Sequence, residues 1–118
     1  MDQLTIQCSA RPSGVRYIVL TGPLTLSTLF EFQTEVRRDA TDSIVVNLAG
    51  VPYMDSAGLG SLLGAFASCQ RNHRGFALTG IVERVRTLFQ VANVDGMLPV
   101  FDSVEAAEAK LVSKQAGA

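Results

Sequence analysis

An aspartate followed by a serine, Asp55-Ser56, opens a stretch in which no charged residue recurs until Arg71. The pair stands where an extended segment gives way to helical periodicity. Ser56 therefore falls at a helix N-terminus, where unpaired N–H groups and the positive dipole end favour negative charge. A phosphate on Ser56 would bring about −1.5 to −2 charges and strong acceptor oxygens to a position electrostatically ready for them. Asp55 opposes that charge but could orient the hydroxyl for transfer. Plain helix capping accounts for the same two residues, and the residue types alone leave both readings open.

Other chemistry is poorly served. A serine nucleophile on a strand-to-helix elbow needs glycine two positions before and two after it; Gly58 meets the second requirement, but Met54 occupies the first. The single histidine, His73, lies near the far end of the same helix, roughly 25 Å away at about 1.5 Å per residue, as a solvated helix-end residue. Gly58 and Gly60 lie inside a helix and form neither a phosphate loop nor a dinucleotide fingerprint. Cys8 and Cys69 stand in no CxxC and in no cysteine–histidine spacing suited to zinc. No catalytic residue, metal ligand or cofactor is expected.

The elements that position Asp55-Ser56 follow from apolar periodicity. Leu4, Ile6 and Cys8 alternate with polar neighbours, Pro12-Ser13-Gly14 turns the chain, and Tyr17–Leu20 completes an N-terminal hairpin that Gly22-Pro23 ends. Leu29, Phe32 and Val36 then stripe a helix from Ser27, its expected N-cap, to about Asp39. Ile44-Val45-Val46 is a β-branched run suited to a strand covered on both faces. A connection broken by Gly50 and Pro52 leads to a helix over about Ser56–Arg74, stopped by Gly75. Phe76–Thr79 is a strand, Val85, Leu88, Phe89 and Ala92 stripe a third helix, and Pro99 confines the Leu98–Phe101 strand to an edge. Asp102 with Glu105 resembles a capping box opening a last helix to about Val112. The expected fold is one α/β domain over residues 1–112, with a small polar, disordered tail over 113–118. Its mostly parallel sheet has about four to five strands, including the hairpin, packed by about four helices.

The 118 residues, 47% hydrophobic and 18% charged, suit one globular domain and exclude an intrinsically disordered chain. A net charge of −1 is wrong for a protein that coats nucleic acid. The N-terminus lacks the basic flank and apolar stretch of a secretory signal, and Leu59–Ala67 is too short to cross a bilayer. A reduced, cytoplasmic domain is expected, without membrane insertion or direct nucleic-acid contact.

The helix after Ser56 is unusual. Gly58, Gly60 and Gly64 cost about 1 kcal/mol each relative to alanine, and Ala57, Gly60, Ser61, Gly64 and Ser68 make a small face without charge. Glycine at such cost implies close approach. Either a neighbouring segment of the same domain packs there, or another protein docks.

The stretch MDSAGLGSLL resembles the signature of the anti-sigma factor antagonists, the bacterial STAS-domain family, whose usual form is DSSGLG. Leu20-Thr21-Gly22 resembles the end of that family's second strand and Val45-Val46-Asn47-Leu48 its third. Arg84–Ala92 with Phe101-Asp102-Ser103-Val104-Glu105 resembles its C-terminal end. The likeness spans about residues 4 to 112. It implies that Ser56 is phosphorylated by a partner that is both anti-sigma factor and serine kinase, with Asp55 helping to place the phosphate. The unphosphorylated form would bind that partner and release a sigma factor, and a serine phosphatase would reverse the modification. Asp55, Ala57, Gly58, Gly60, Ser61 and Gly64 would line the contact surface, with Thr25 at its margin. Two positions depart from the family pattern. Ala57 replaces the second motif serine, and Gly22-Pro23-Leu24-Thr25 replaces a Gly-Glu-Leu-Asp loop expected beside the phosphorylation site. The loss of both carboxylates favours an alternative reading, a STAS subunit bracing the ATPase of a membrane lipid-transport system, and a stressosome-type scaffold is a third.

Overall fold

The computed structural model describes residues 3–38 and 43–116. Strands β1 (Thr5–Ala10) and β2 (Arg16–Thr21) form the expected antiparallel hairpin, with Thr5 opposite Thr21 and Ala10 opposite Arg16. Its turn is closed by the Arg11 N–H to the Val15 carbonyl at 2.9 Å, and Gly14 takes a left-handed φ of +91° that favours glycine. Helix α1 (Leu29–Arg37) leads to β3 (Ile44–Gly50), α2 (Ser56–Arg71), β4 (Phe76–Thr79), α3 (Glu83–Val91), β5 (Val100–Phe101) and α4 (Val104–Ala116). The strands lie in chain order, and β2 to β5 run parallel. This is the mostly parallel α/β sheet that the patterning implied.

Strand β3 is covered on both faces, as its β-branched run predicts. Ile44, Val46 and Leu48 belong with Ile18, Leu20, Leu78, Phe32 and Leu62 to the core beneath α1 and α2. Val45 points the other way and joins Val15, Ala77, Ala107 and Leu111 beneath α4. Alternation along a strand makes this division. Phe32, fully buried, contributes about 1.5–3 kcal/mol through its apolar area alone.

Several boundaries differ from the sequence reading. Helix α1 begins at Leu29, and its N-cap position is Thr28, not Ser27. The preceding residues form a turn in which Thr28 and Leu29 both donate to the Thr25 carbonyl, while the Thr28 hydroxyl donates to Pro23 O at 2.9 Å. The expected end of α1 near Asp39 lies outside the described residues. Strand β3 continues to Gly50 because the Gly22 N–H donates to the Gly50 carbonyl at 2.9 Å.

Helix α2 stops at Arg71, before Gly75. His73 takes the left-handed φ of +58°, and the Arg74 N–H returns to Cys69 O at 2.7 Å. Gly75 instead admits close packing: a Cβ there would stand 2.7 Å from the Leu111 side chain. The acceptor at the start of α4 is Ser103 Oγ, bonded by the Ala106 N–H at 3.0 Å, rather than Asp102. The backbone of α4 runs to Ala116, into the segment expected to be a disordered tail. Lys, Gln and Ala are good helix formers, and no breaker intervenes before Gly117. Residues 117–118 lie outside the described residues.

Candidate functional site

Parallel strands place the loops that follow their C-terminal ends side by side, where open α/β sheets commonly hold their sites. Here the β2–α1 and β3–α2 connections are sewn together. Leu24 bridges Met54 in parallel fashion, and the Leu24 N–H donates to Tyr53 O at 3.3 Å. The junction ends on Asp55, whose Oδ1 accepts from the Gly58 N–H at 2.8 Å and whose Oδ2 accepts from the Leu26 N–H at 3.1 Å. Asp55 is thus the N-cap of α2 and, at the same time, an anchor for the neighbouring loop.

Ser56 is the first residue of α2 and is exposed, with no side-chain hydrogen bond among the described residues. The first turn of α2 carries no acidic residue of its own. The positive helix end is met only by the Asp55 carboxylate, so a second anion at Ser56 would share that end with Asp55.

The remaining residues of the expected contact surface separate into two groups. Gly60 and Gly64 are exposed, and a Cβ on either would meet nothing within 4 Å. Ala57 is half-buried and packs on the core. Gly58 and Ser61 lie beneath the surface. A Cβ on Gly58 would run into the Leu24 carbonyl, and Ser61, only 5% exposed, donates to Gly58 O at 2.6 Å. Close approach within the chain therefore explains Gly58, and open space remains at Gly60 and Gly64. Thr25 is half-buried, its backbone N–H donating to Thr28 Oγ1 at 2.9 Å. A groove bordered by Gln33, Arg37, Ser68 and Arg71 opens between α1 and α2 next to Gly64.

Sequence reasoning missed the apolar residues around the motif. Leu26 and Phe30 are 63% and 64% exposed, and Tyr53 lies at the other side of Asp55 with the Arg84 guanidinium 5.5 Å from its ring centre. The signal was present in α1, since its buried stripe of Leu29, Phe32 and Val36 leaves Phe30 pointing elsewhere.

The thiols are not activated nucleophiles. Partial desolvation and interaction with Glu35 push the exposed Cys8 thiol up to about 11, and burial raises Cys69. Among the described residues, no group of three or more histidine, cysteine, aspartate or glutamate side chains could hold a metal ion. No helix among them is long and apolar enough to cross a membrane.

A family pattern, the STAS domain, matches residues 9–107. The chain is similar to an anti-sigma-B factor antagonist of Staphylococcus aureus, with 33% identity over 81 residues that cover 69% of this chain and 75% of that protein. In fold it is similar to an anti-sigma factor antagonist from Mycobacterium paratuberculosis, with a TM-score of 0.80 at 16% identity over 92% of this chain and 93% of the other. It is also similar to the anti-sigma factor antagonist SpoIIAA in its unphosphorylated form, with a TM-score of 0.72 at 19% identity over 97% and 98%.

Proposed function

The chain belongs to the STAS-domain family and is a homologue of anti-sigma factor antagonists, and on that premise we propose that it is a phosphorylation-switched binding module rather than an enzyme. Unphosphorylated, it sequesters in the cytoplasm an anti-sigma factor with serine kinase activity and so frees a sigma factor. The kinase phosphorylates Ser56, the complex separates, and a serine phosphatase resets the module.

One observation carries this reading: Ser56 is exposed at the head of a helix whose outer surface bears no charge between Asp55 and Arg71. A surface without charges can press against an apolar partner at low desolvation cost. A dianion at its edge, next to Asp55, makes that contact unfavourable through repulsion and desolvation. Gly60 and Gly64 let the partner approach the helix backbone closely, and the apolar Leu26, Phe30 and Tyr53 extend the contact across the loops. Asp55 keeps the helix end and the neighbouring loop in one arrangement, which holds the Ser56 backbone at the head of α2.

The test is affinity capture from the source cell's lysate with the wild type and Ser56→Asp, followed by addition of ATP to the captured complex. The reading requires a partner held by the wild type, lost from Ser56→Asp, and able to add phosphate to Ser56 as read by mass spectrometry. A transport ATPase or a scaffold held equally by both proteins would replace the switch with a constitutive docking subunit. The absence of a carboxylate at Pro23 and Thr25 is the observation that favours that outcome.

A further inference from the structure

Helix α2 carries charge only at its ends. Asp55 caps its head, Arg71 closes its foot, and nothing between them is charged. Its outer ridge runs through Ser56, Gly60, Leu63, Ala67 and Arg71, at the helical steps of three and four. Ser56, Gly60 and Arg71 are exposed, and Leu63 and Ala67 are half-buried. Gly64, beside the ridge, leaves an open gap next to the groove between α1 and α2.

That groove is basic. Arg37 from the end of α1 and Arg71 from the end of α2 border it, with no carboxylate among its lining residues. Among the described residues, neither guanidinium has a hydrogen bond or an ion pair. Two free arginines on one groove suit a phosphate, whose oxygens accept from both. A phosphate on Ser56 cannot reach them within one copy, because Ser56 and Arg71 stand about 22 Å apart along α2 at about 1.5 Å per residue.

We propose that phosphorylated Ser56 of one copy docks between Arg37 and Arg71 of a second copy, the two α2 helices pairing antiparallel about a two-fold axis between Leu63 and Gly64. The proposal rests on the reading of Ser56 as the phosphorylated residue. Pairing about that axis opposes Ser56 with Arg71 and Gly60 with Ala67, and it sets Leu63 over the gap at Gly64. Every contact is made twice, as a two-fold interface requires. The ridge is therefore self-complementary in shape and in charge. For a helix of 16 residues, a contact about 24 Å long and about 10 Å wide buries about 500 Å² in total, short of the about 1,200 Å² of a stable complex. Packing alone thus leaves the unmodified chain monomeric, and the two phosphate–arginine clusters hold the dimer. In it Gly60 and Gly64 are covered, so the phosphorylated form is closed to the anti-sigma partner, and the phosphatase acts on the monomer.

The test is sedimentation of the full chain with phosphate placed on Ser56 during synthesis, beside the unmodified chain, from about micromolar to about millimolar concentration. The expected result is a dimer of the phosphorylated chain at concentrations at least about tenfold below any self-association of the unmodified one. Arg37→Ala and Arg71→Ala, both at exposed positions, should each weaken that dimer at least about tenfold. Gly64→Glu, which enters open space beside the axis, should do the same. A phosphorylated chain that stays monomeric, a dimer unmoved by Arg71→Ala, or head-to-tail assemblies that grow beyond two copies overturns the proposal. Because no kinase is needed to install the phosphate, a failure here leaves the affinity-capture result standing, and a capture that finds no kinase leaves this one standing.

Discussion

The Leu26 N–H and Asp55 Oδ2, from segments separated in the chain by α1 and β3, meet at 3.1 Å, while Oδ1 of the same carboxylate caps α2 through Gly58. One side chain therefore fixes the start of the helix and the loop beside it. Asp55→Ala is expected to cost about 1 kcal/mol for the cap and more for the released loop, lowering the melting temperature by at least about 3 °C. Asp55→Asn keeps an acceptor for Gly58 but turns an amide donor toward the Leu26 N–H, giving an intermediate loss. Thermal melts of the three proteins would rank them; equal stability of all three contradicts the double role.

Ser56→Ala and Ser56→Asp should melt within about 0.5 kcal/mol of the wild type, because the side chain is exposed and makes no hydrogen bond. Their binding should diverge: Ala holds the anti-sigma partner permanently, and Asp weakens it at least about tenfold, or about 1.4 kcal/mol. Calorimetric titration against the captured partner measures the difference.

Glycines two positions apart should respond oppositely. Gly60→Arg enters open space, so the domain folds normally and docking is lost. Gly58→Ala forces a Cβ against the Leu24 carbonyl and is expected to destabilise the fold by about 1–3 kcal/mol. Denaturant unfolding with a parallel binding assay separates the two effects; normal binding by Gly60→Arg would remove this residue from the contact surface.

The hairpin is tied to α4 by Arg11, 3.0 Å from Glu108, and by the Ser13 hydroxyl, which also donates to Glu108. These partners hold the Glu108 carboxyl below the usual carboxylate range. With the folded pKa below the unfolded one, the contribution is present above the unfolded value and is lost as pH falls through the folded value. Between about pH 6 and about pH 3, the wild type should lose more stability than Glu108→Gln. Parallel melting curves for the two proteins would refute this tie.

Period and punctuation made most of the fold legible. The hairpin, the doubly covered Ile44–Val46 segment and the stripe of Leu29, Phe32 and Val36 each carry their burial pattern in residue type. What escaped was direction and long-range contact. Gly58 and Gly60 look alike in the sequence, yet a carbonyl from a loop more than thirty residues earlier decides that only one of them is beneath the surface. Ser27 and Asp102 looked like caps, but in each case the neighbouring residue has the required backbone position. The second bond of Asp55 joins distant segments and leaves no local signature. The Asp55-Ser56 pair itself was legible because a helix start concentrates capping chemistry and exposure at one place.

Helix α4 alone closes the small core of Val15, Val45 and Ala77, through Ala107 and Leu111, and it follows every strand in the chain. During synthesis the sheet can gather α1 and α2 on one face while the other is still bare. At about 5–20 residues per second, the thirteen residues of α4 take on the order of one second to be made. For that interval the nascent chain presents an uncovered apolar sheet surface. A pause within the α4 codons would lengthen a chaperone's opportunity to bind without changing the finished protein.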